Sequence, residues 1–553
     1  MPPAHDDRLD SWKEIAVFLR RGVRTVQRWE KQEGLPVHRH QHARLGSVFA
    51  FRGEVQSWWE SRRKDLDSER LDAAEKQGSE APARIKLLVL PLENLSGDAT
   101  RDYLADGFTE EIITQLARLN PARLAVIARS TAMQFTAARL KTEARRLSEI
   151  AGELNAGFVL EGSVRSDGGR VRVTVQLIQG ADETHVWAQT YDRELRDLLA
   201  LQSEVAAAVA REIHLALDPG SAPGATPSRA LDPQAYDHYL RGRYLLNRMT
   251  PQSIGQSIEW FQRAFQLQPD YALAYASVSH ACALLAMVPF DVLPPRDSMP
   301  HAAAAAEKAL ALAPQLPEAH AALAVVRHHY DWDWTAAETG YQRAIALNPD
   351  YAGARLRYAW LLLALSRLKE AELQIHAAQR TAEETDPHLL VVIRATRAAA
   401  FYFARDYEAC LHECRDALEL DPEYFLLHYL LGRALARQGQ HEEAVAILTQ
   451  DGSSPISLLQ MGAGLAQAMS GNQQAAVDSL QGLIALSQKR YVPATYIAIL
   501  HAGIGDADAA FEWLEKAYAE RADGLTLINV EPMVDGLRSD PRFQEFVRRL
   551  RLA

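Results

Sequence analysis

The 553-residue sequence is poor in cysteine, with only Cys282, Cys410 and Cys414. Three cysteines form no disulfide framework, and so low a number is typical of a reducing compartment. No apolar run approaches the ~20 residues that a membrane-spanning helix needs. The opening segment, MPPAHDDRLDSW, lacks the cationic start and apolar core of a secretory signal. Together these absences predict a cytoplasmic protein.

The chain also lacks recognisable catalytic and metal-binding motifs. No G-x-x-x-x-G-K-[ST] loop is present, and no G-x-G-x-x-G follows a predicted strand. His38, His40 and His42 alternate on a predicted strand and therefore share one face, but no cysteine or carboxylate stands at ligand spacing beside them. We expect no metal, no cofactor and no enzymatic activity.

Charge is distributed unevenly, with a net positive charge only at the start of the chain. The whole sequence has a net charge of −11, yet residues 1–64 carry 13 Lys and Arg against 8 Asp and Glu, a net of +5. The remaining residues therefore net −16. A small basic head on a large acidic body predicts that only the head faces a polyanion.

Residues 8–63 have the periodicity of three short helices and a hairpin. A first helix, capped by Asp10 or Ser11, has an apolar stripe at helical spacing, formed by Trp12, Ile15, Ala16 and Leu19. A second helix is predicted over residues 24–32, before Gly34 and Pro36. VHRHQHARLGSVFAF predicts two strands around a turn near residues 44–46, and EVQSWWESR predicts a further helix.

The stretch RGVRTVQRWEKQEGLPVHRH…GSVFAFRGEVQSWW resembles the winged helix-turn-helix of the MerR and excisionase kind. In that family the second helix enters the major groove and the hairpin wing contacts the flanking backbone. The resemblance implies a set of DNA-contacting residues, which are Arg24, Thr25, Gln27, Arg28 and Lys31 on the helix and Arg39, His40 and Arg44 on the wing. Arg and Gln suit base edges, and Lys and Thr suit phosphates. The alternative interpretation is that these charges are simply the solvated face of a small domain.

A charged linker and a second domain follow the head. Residues 64–83 have almost no large apolar side chains. IKLLVLPL (85–92) and LAVIAR (124–129) predict buried strands, and the segments 103–119 and 144–155 predict helices. FVLEGSVR, VRVTVQLIQ and THVWAQTYDREL predict three more strands, and a final helix is expected over residues 197–217. This alternation predicts an α/β or α+β domain over residues 84–217.

The phrases VLPLENLSGD, YLADGFTEEIITQLARL, VLEGSVR and HVWAQTYDRELRDLLALQSEVA resemble the α/β domain related to the N-terminal domain of TolB and to FlgO. Such domains precede repeat arrays in bacterial regulators and adenylate cyclases. Those cyclases keep their catalysis in a separate domain, and no segment of that size remains unassigned here. The carboxylates Asp102, Asp106, Glu110 and Glu111 are interpreted as complements to the dipole of their helix.

After a Pro/Gly/Ser-rich linker (218–233), one pattern recurs along residues 234–553. A small residue is followed by a bulky residue four positions later, an alanine three after that and a proline five further on. Three copies are Ser257, Phe261, Ala264, Pro269; Ala337, Tyr341, Ala344, Pro349; and Cys410, Cys414, Ala417, Pro422. This is the tetratricopeptide signature, and we expect seven or eight repeats. The tail, VEPMVDGLRSDPRFQEFVRRLRL, is expected to cap the stack.

The sequence therefore predicts a multidomain protein with a small winged helix-turn-helix, an α/β domain and an all-α tetratricopeptide solenoid. Tetratricopeptide arrays expose a groove that binds peptides or proteins, so a protein or peptide partner is expected there. The function predicted is a bacterial DNA-binding transcriptional regulator that binds double-stranded DNA through residues 1–64. One small head binds weakly, so specific binding requires a homodimer or a partner. The alternative is an interaction scaffold that does not bind DNA.

Overall fold

The computed structural model forms two compact units, Met1–Ala83 and Arg84–Ala553. It describes residues 8–9, 11–18, 26, 30, 35–39, 48–55, 58, 84–119, 124–136, 145–167, 170–194, 198–212, 232–288, 290–385, 389–449 and 457–552. Within those residues, no helix is both long enough and apolar enough to span a bilayer.

The head unit contains a three-stranded antiparallel sheet and a first helix, α1 (Trp12–Phe18). The strands are β1 (Arg8–Leu9), β2 (His38–Arg39) and β3 (Val48–Phe51), in the order β1-β3-β2. The pairing of β2 with β3 confirms the predicted hairpin. β1 was not predicted, because two residues are too few to show an alternating pattern.

Among the described residues of the head, the buried core is apolar. Its buried members are Leu9, Ile15, Val26, Leu35, Ala50 and Val55. The predicted cap is confirmed for Ser11, whose Oγ accepts the backbone N–H of Glu14 at 3.2 Å. β3 buries alternate residues, because successive side chains of a strand point to opposite faces.

The second unit begins with a six-stranded mixed sheet and its helices. The strands are β4 (Ile85–Val89), β5 (Glu93–Asn94), β6 (Leu124–Val126), β7 (Phe158–Asp167), β8 (Arg170–Gln179) and β9 (His185–Glu194). The helices are α2 (Asp102–Leu119), α3 (Arg129–Ala132), α4 (Leu147–Glu153) and α5 (Leu198–Glu212). The order is β6-β4-β7-β8-β9, with β5 beside β7. Strands β6, β4 and β7 are parallel, and β7, β8 and β9 are antiparallel.

Strand β4 is buried on both faces, which explains its continuous apolar sequence. Leu87 and Val89 belong to the core that contains α2 and α5. Leu88 lies on the other face, in a separate cluster that contains Ile150 of α4. The predicted α/β region is therefore present, with helices on both faces of the parallel strands.

Sixteen of the helices described after residue 232 form eight consecutive antiparallel pairs. The pairs are α6 (Pro233–Leu246) with α7 (Pro251–Leu267), α8 (Ala272–Ala286) with α9 (Pro295–Leu312), α10 (Pro317–Val326) with α11 (Trp334–Leu347), α12 (Ala352–Ala364) with α13 (Leu368–Thr385), α14 (Leu389–Phe403) with α15 (Tyr407–Leu418), α16 (Phe425–Arg437) with α17 (His441–Thr449), α18 (Ser457–Met469) with α19 (Gln473–Ser487), and α20 (Ala494–Ile504) with α21 (Ala507–Glu520). Eight pairs agree with the seven or eight repeats expected.

The signature residues occupy the packing positions that the pattern predicts. The small, bulky and alanine positions of the three quoted copies are all fully buried, and each proline follows the end of its second helix. Glycine in a first helix lets the second helix of the same pair pack closely against it. A Cβ on Gly432 would lie 2.4 Å from Leu448 Cγ, so only glycine allows α16 to approach α17 this closely.

The α/β region and the repeats share one hydrophobic core. Helix α2 packs against α6, the first helix of the array. A Cβ on Gly107 would lie 2.6 Å from a Leu240 methyl carbon, which shows how closely the two helices approach. Tyr103 donates a hydrogen bond to Asp237 at 2.5 Å, and the Arg241 guanidinium lies over the Tyr103 ring at 4.4 Å. The predicted linker between these regions (218–233) falls almost entirely outside the described residues.

The array curves until its last pair reaches its second. Tyr496 of α20 donates a hydrogen bond to Asp291, which follows α8, at 2.9 Å. The first helices of successive pairs contact one another and form an inner face. The C-terminal segment, residues 523–552, contains two 3-10 turns and α22 (Pro541–Arg549).

The C-terminal segment packs against first helices of the array, among them α12 and α20, whereas a cap at the end of the stack was expected. The Trp334 indole, at the start of α11, donates to the Leu550 carbonyl at 3.0 Å. Arg405, after α14, pairs with Asp535 at 2.7 Å. The segment therefore covers part of the groove in which a partner was expected.

Candidate functional site

The predicted DNA-contacting residues fall mainly outside the described part of the head. This applies to Arg24, Thr25, Gln27, Arg28, Lys31, His40 and Arg44. The backbone of Arg39 lies in β2, where it pairs with Val48. Within the predicted second helix, Val26 and Glu30 are helical and Val26 is fully buried. The assignment of the DNA-contacting residues stays a prediction.

The outer face of the head sheet carries aromatic and basic groups that the sequence analysis did not select. His38 stacks on Phe49 with ring centroids 5.2 Å apart, and the Arg8 guanidinium lies 4.6 Å from the same ring centroid. His38 Nε2 is 2.7 Å from a carboxylate oxygen of Glu54. The alternating sequence VFAF could have predicted this aromatic face, because it places Phe49 and Phe51 on the side of β3 opposite the core residues Val48 and Ala50. No cluster of three His, Cys, Asp or Glu side chains arranged for a metal occurs in the part of the chain that the structure describes.

Two carboxylates of α2 have a different role from the one predicted. Asp106 is buried and forms an ion pair with Arg129, while Glu110 pairs with Arg243 of α6. Both lie beyond the first turn of α2, where the helix dipole has little effect. The interpretation of Asp106 and Glu110 as dipole complements was therefore wrong. Their charges are balanced by arginines, one of which belongs to the first repeat.

A cleft of about 670 Å³ lies where the α/β region meets the first helices of the first four helix pairs. Its lining includes Arg129, Arg243 and Arg357. The carboxylates of Asp106 and Glu110 balance two of these three guanidinium groups. The third belongs to α12, and it also borders a second space inside the array.

That second space, called here the interior cavity, has a volume of about 310 Å³. Its walls come from the ends of α8 and α10, from α12, α14, α16, α18 and α20, and from residues 523–531. Most of the lining is apolar and includes Trp360, Phe403, Leu430, Met461 and Ile499. The interior cavity is thus a product of the closed array and its C-terminal segment.

Two long-range polar contacts fasten the C-terminal segment beside the interior cavity. His329 Nδ1 lies 2.5 Å from Asp523 Oδ1, and both side chains are nearly buried. Arg433 of α16 pairs with Glu531, and their side chains are 2% and 7% exposed. The Arg433 guanidinium also donates to the Tyr429 hydroxyl at 2.6 Å. Both acids that line the cavity therefore have basic partners.

Other polar groups of the interior cavity have no partner among the described residues. His328 Nε2 and Thr495 Oγ1 are buried and make no hydrogen bond there. The Arg357 guanidinium has no ion pair or hydrogen bond within that set either. Burial, the adjacent His329 and Arg357 hold the pKa of His328 well below its usual range, so its imidazole is neutral.

Comparison with known proteins identifies the class of repeat. The family model described as "Tetratricopeptide repeat" matches residues 413–446, so the chain contains tetratricopeptide repeats. The helix pairs on either side have the same architecture. The repeat region is therefore a tetratricopeptide solenoid, joined to an α/β sheet region.

One curated relative is "Putative adenylate cyclase 3" from Rhizobium meliloti (strain 1021), 32% identical over 251 residues. The match covers 44% of this chain and 42% of the relative, so the chain spans less than half of that protein. Among solved structures, a tetratricopeptide repeat protein from Parabacteroides merdae ATCC 43184 is 13% identical, with 50% of this chain and 100% of that chain covered at a TM-score of 0.37. Yeast Tom70 is also 13% identical, with coverages of 57% and 67% and a TM-score of 0.37. Such low TM-scores carry no argument about function.

Proposed function

We propose that the protein is a DNA-binding transcriptional regulator whose tetratricopeptide solenoid binds a protein or peptide partner. The observation that carries the first half is the separation of charge, with +5 on residues 1–64 and −16 on the rest. A polyanion such as double-stranded DNA is attracted to the head and repelled by the body. The described hairpin and helical positions are compatible with the winged helix-turn-helix that the sequence resembles.

The second half of the proposal rests on the repeats. Stacked helix pairs present an extended surface, but residues 523–552 already lie on part of the inner face. A peptide that binds this part of the face has to displace the segment. We therefore expect such a partner to bind more tightly when the contacts of the segment are weakened.

The DNA-binding half is tested with the full chain and a fluorescently labelled duplex, by anisotropy at several salt concentrations. The double variant Arg28→Ala/Lys31→Ala removes two of the cations assigned to the groove. Each lost phosphate contact lowers the log–log salt slope by about 0.9, and a lost base contact costs about 1–3 kcal/mol. We expect binding to weaken by at least about tenfold at moderate salt.

The matched control removes two cations from the repeats, in the variant Arg263→Ala/Arg296→Ala. Both side chains are more than half exposed; they pair with Glu259 and Asp297, and Arg263 also lies over the Trp260 ring at 4.6 Å. This control changes the net charge equally and is expected to leave binding almost unchanged. Equal losses in the two double variants, or no duplex binding by the wild-type chain at low salt, would reject the proposal.

The alternative function is an interaction scaffold without DNA binding. The exposed His38 and the half-buried Phe49 stacked on it, on the outer face of the head sheet, favour this alternative, because accessible aromatic groups also serve protein contacts. Genome-wide mapping of bound DNA separates the two: reproducible sites support the regulator, and their absence together with one enriched protein partner supports the scaffold.

The name of the curated relative raises a third activity, the formation of cyclic AMP from ATP. The expectation from the sequence is that this chain has no such activity. The measurement is cyclic AMP production by the purified chain with ATP and Mg²⁺ or Mn²⁺. Sustained turnover would contradict the expectation.

A further inference from the structure

The interior cavity is large enough for a small organic molecule. Its volume of about 310 Å³ equals that of about ten molecules of liquid water and lies at the lower end of the range for ligand pockets. Elements far apart in the sequence, from the end of α8 to residue 531, line it together. The cavity is therefore part of the folded array.

The walls of the interior cavity favour an apolar body. Trp360, Phe403 and Leu430 line it together with Met461 and Ile499. Water molecules beside such side chains lack the two to four polar partners that hold a buried water in place. An apolar ligand that displaces them gains the free energy of burial, about 25 cal/mol per Å² of apolar surface.

The charges of the cavity favour an anionic end group on that ligand. Asp523 and Glu531 already pair with His329 and Arg433. Arg357 has no such partner among the described residues. A partly buried guanidinium without an anion is costly, and its planar donors match a carboxylate in bidentate geometry.

Two further groups supply hydrogen bonds at the wall. His328 Nε2 and Thr495 Oγ1 are buried and have no hydrogen-bond partner among the described residues, and a buried polar atom that nothing satisfies destabilises the fold. Tyr341 Oη lies 3.5 Å from His328 Nδ1. When Tyr341 donates this bond, the proton of the neutral imidazole is on Nε2, which then faces the cavity as a donor.

We propose that the interior cavity binds a small monocarboxylic acid with an apolar body, whose carboxylate pairs with Arg357. His328 Nε2 and Thr495 Oγ1 donate hydrogen bonds to polar atoms of the same ligand. The solenoid is then a receptor for a small molecule as well as a surface for proteins. This inference does not depend on DNA binding, since it is tested without DNA.

The test uses octanoate as the probe and octanol as its uncharged analogue, with calorimetric titration of the full chain. We expect octanoate to bind with a one-to-one stoichiometry and more tightly than octanol. Arg357→Met should weaken octanoate binding by roughly 10- to 100-fold, because a hydrogen bond to a charged group is worth about 1.5–3 kcal/mol. The same variant should leave octanol binding almost unchanged.

Arg355→Met is the matched control, since it makes the same change two residues earlier on α12. Arg355 bonds to the Pro349 carbonyl and to Gln374, outside the interior cavity. This variant should bind octanoate as the wild type does. If it loses binding as Arg357→Met does, the proposal is wrong.

A second variant locates the site, because Arg357 also borders the 670 Å³ cleft. Met461 lines the interior cavity and not the cleft, so Met461→Trp should abolish the binding of both probes. If its circular dichroism shows misfolding, Ile499→Phe replaces it. If the folded variant binds octanoate as the wild type does, the ligand binds elsewhere and the proposal is wrong. The proposal is also rejected if the wild type does not bind octanoate, or if it binds octanol equally tightly.

Discussion

The Arg433–Glu531 pair gives a quantitative test of how the C-terminal segment is held. Arg433 lies between the rings of Tyr402 and Tyr429, with centroid distances of 4.4 and 4.8 Å. Glu531 also accepts the backbone N–H of Met533 at 2.9 Å. Glu531→Gln keeps the shape and the hydrogen-bond acceptor but removes the charge. Arg433 is then left as a buried cation, a change that costs about 3–5 kcal/mol in comparable pairs.

We expect the segment to detach without unfolding the array, so the loss should appear as local opening. A cost of ~3 kcal/mol raises the population of the detached state by roughly 100-fold. Hydrogen exchange of the amides of residues 523–552 measures this population directly. The double variant Arg433→Met/Glu531→Gln leaves no unpaired charge, and we expect it to recover most of the protection.

The control is Asp535→Asn in the same segment. Asp535 is 32% exposed and pairs with Arg405, Arg437 and Arg538, which are 44%, 29% and 28% exposed. Solvent screens these pairs, so each should contribute only about 0–1 kcal/mol. If Glu531→Gln exchanges no faster than Asp535→Asn, or if the double variant is no better than Glu531→Gln, the buried pair does not hold the segment.

Two further predictions concern the repeats. Gly432→Ala should lower the free energy of unfolding by about 1–3 kcal/mol, because the added methyl group overpacks against Leu448. Gly255 has open space around it, so Gly255→Ala should raise the free energy of unfolding by about 0.5–1 kcal/mol. Denaturant titration measures both variants, and equal effects would contradict the close approach of α16 to α17. Burial raises the pKa of Asp291 to about 7, so between about pH 4 and pH 7 the unfolded chain has lost this proton while the native chain keeps it. The contribution of Asp291 to the free energy of unfolding therefore falls by up to about 4 kcal/mol as the pH rises from about 4 to about 7. Asp291→Asn should remove that decline, which denaturation midpoints at pH 5 and pH 7 measure; parallel slopes for both proteins would refute it.

The sequence predicted the repeats well because their signature is local. Phe261, Tyr341 and Cys414 recur at fixed spacing from a small residue, and all three are fully buried. The continuous apolar run of β4 likewise predicted a strand covered on both faces. In these cases the packing position of a residue follows from neighbours a few positions away.

The contacts that close the array have no local pattern. Arg433 and Glu531 are separated by 98 residues, and His329 and Asp523 by 194. Their meeting depends on the curvature accumulated over several helix pairs, which no single repeat encodes. Glu110 was misinterpreted for the same reason, because its partner Arg243 is 133 residues away. The interior cavity could therefore not be predicted before the path of residues 523–552 was known.

The contact between α2 and α6 changes how the boundary after residue 217 should be understood. A solenoid needs a terminal unit that shields its first apolar face from water. Phe108 and Ile112 of α2 share a core with Tyr236 and Leu240 of α6, so the sheet region shields the apolar face of the first repeat from water. Gene fragments that start at residue 234 would expose this face and should aggregate. In recombination between homologous genes, the sheet region and the first repeat would have to be inherited together.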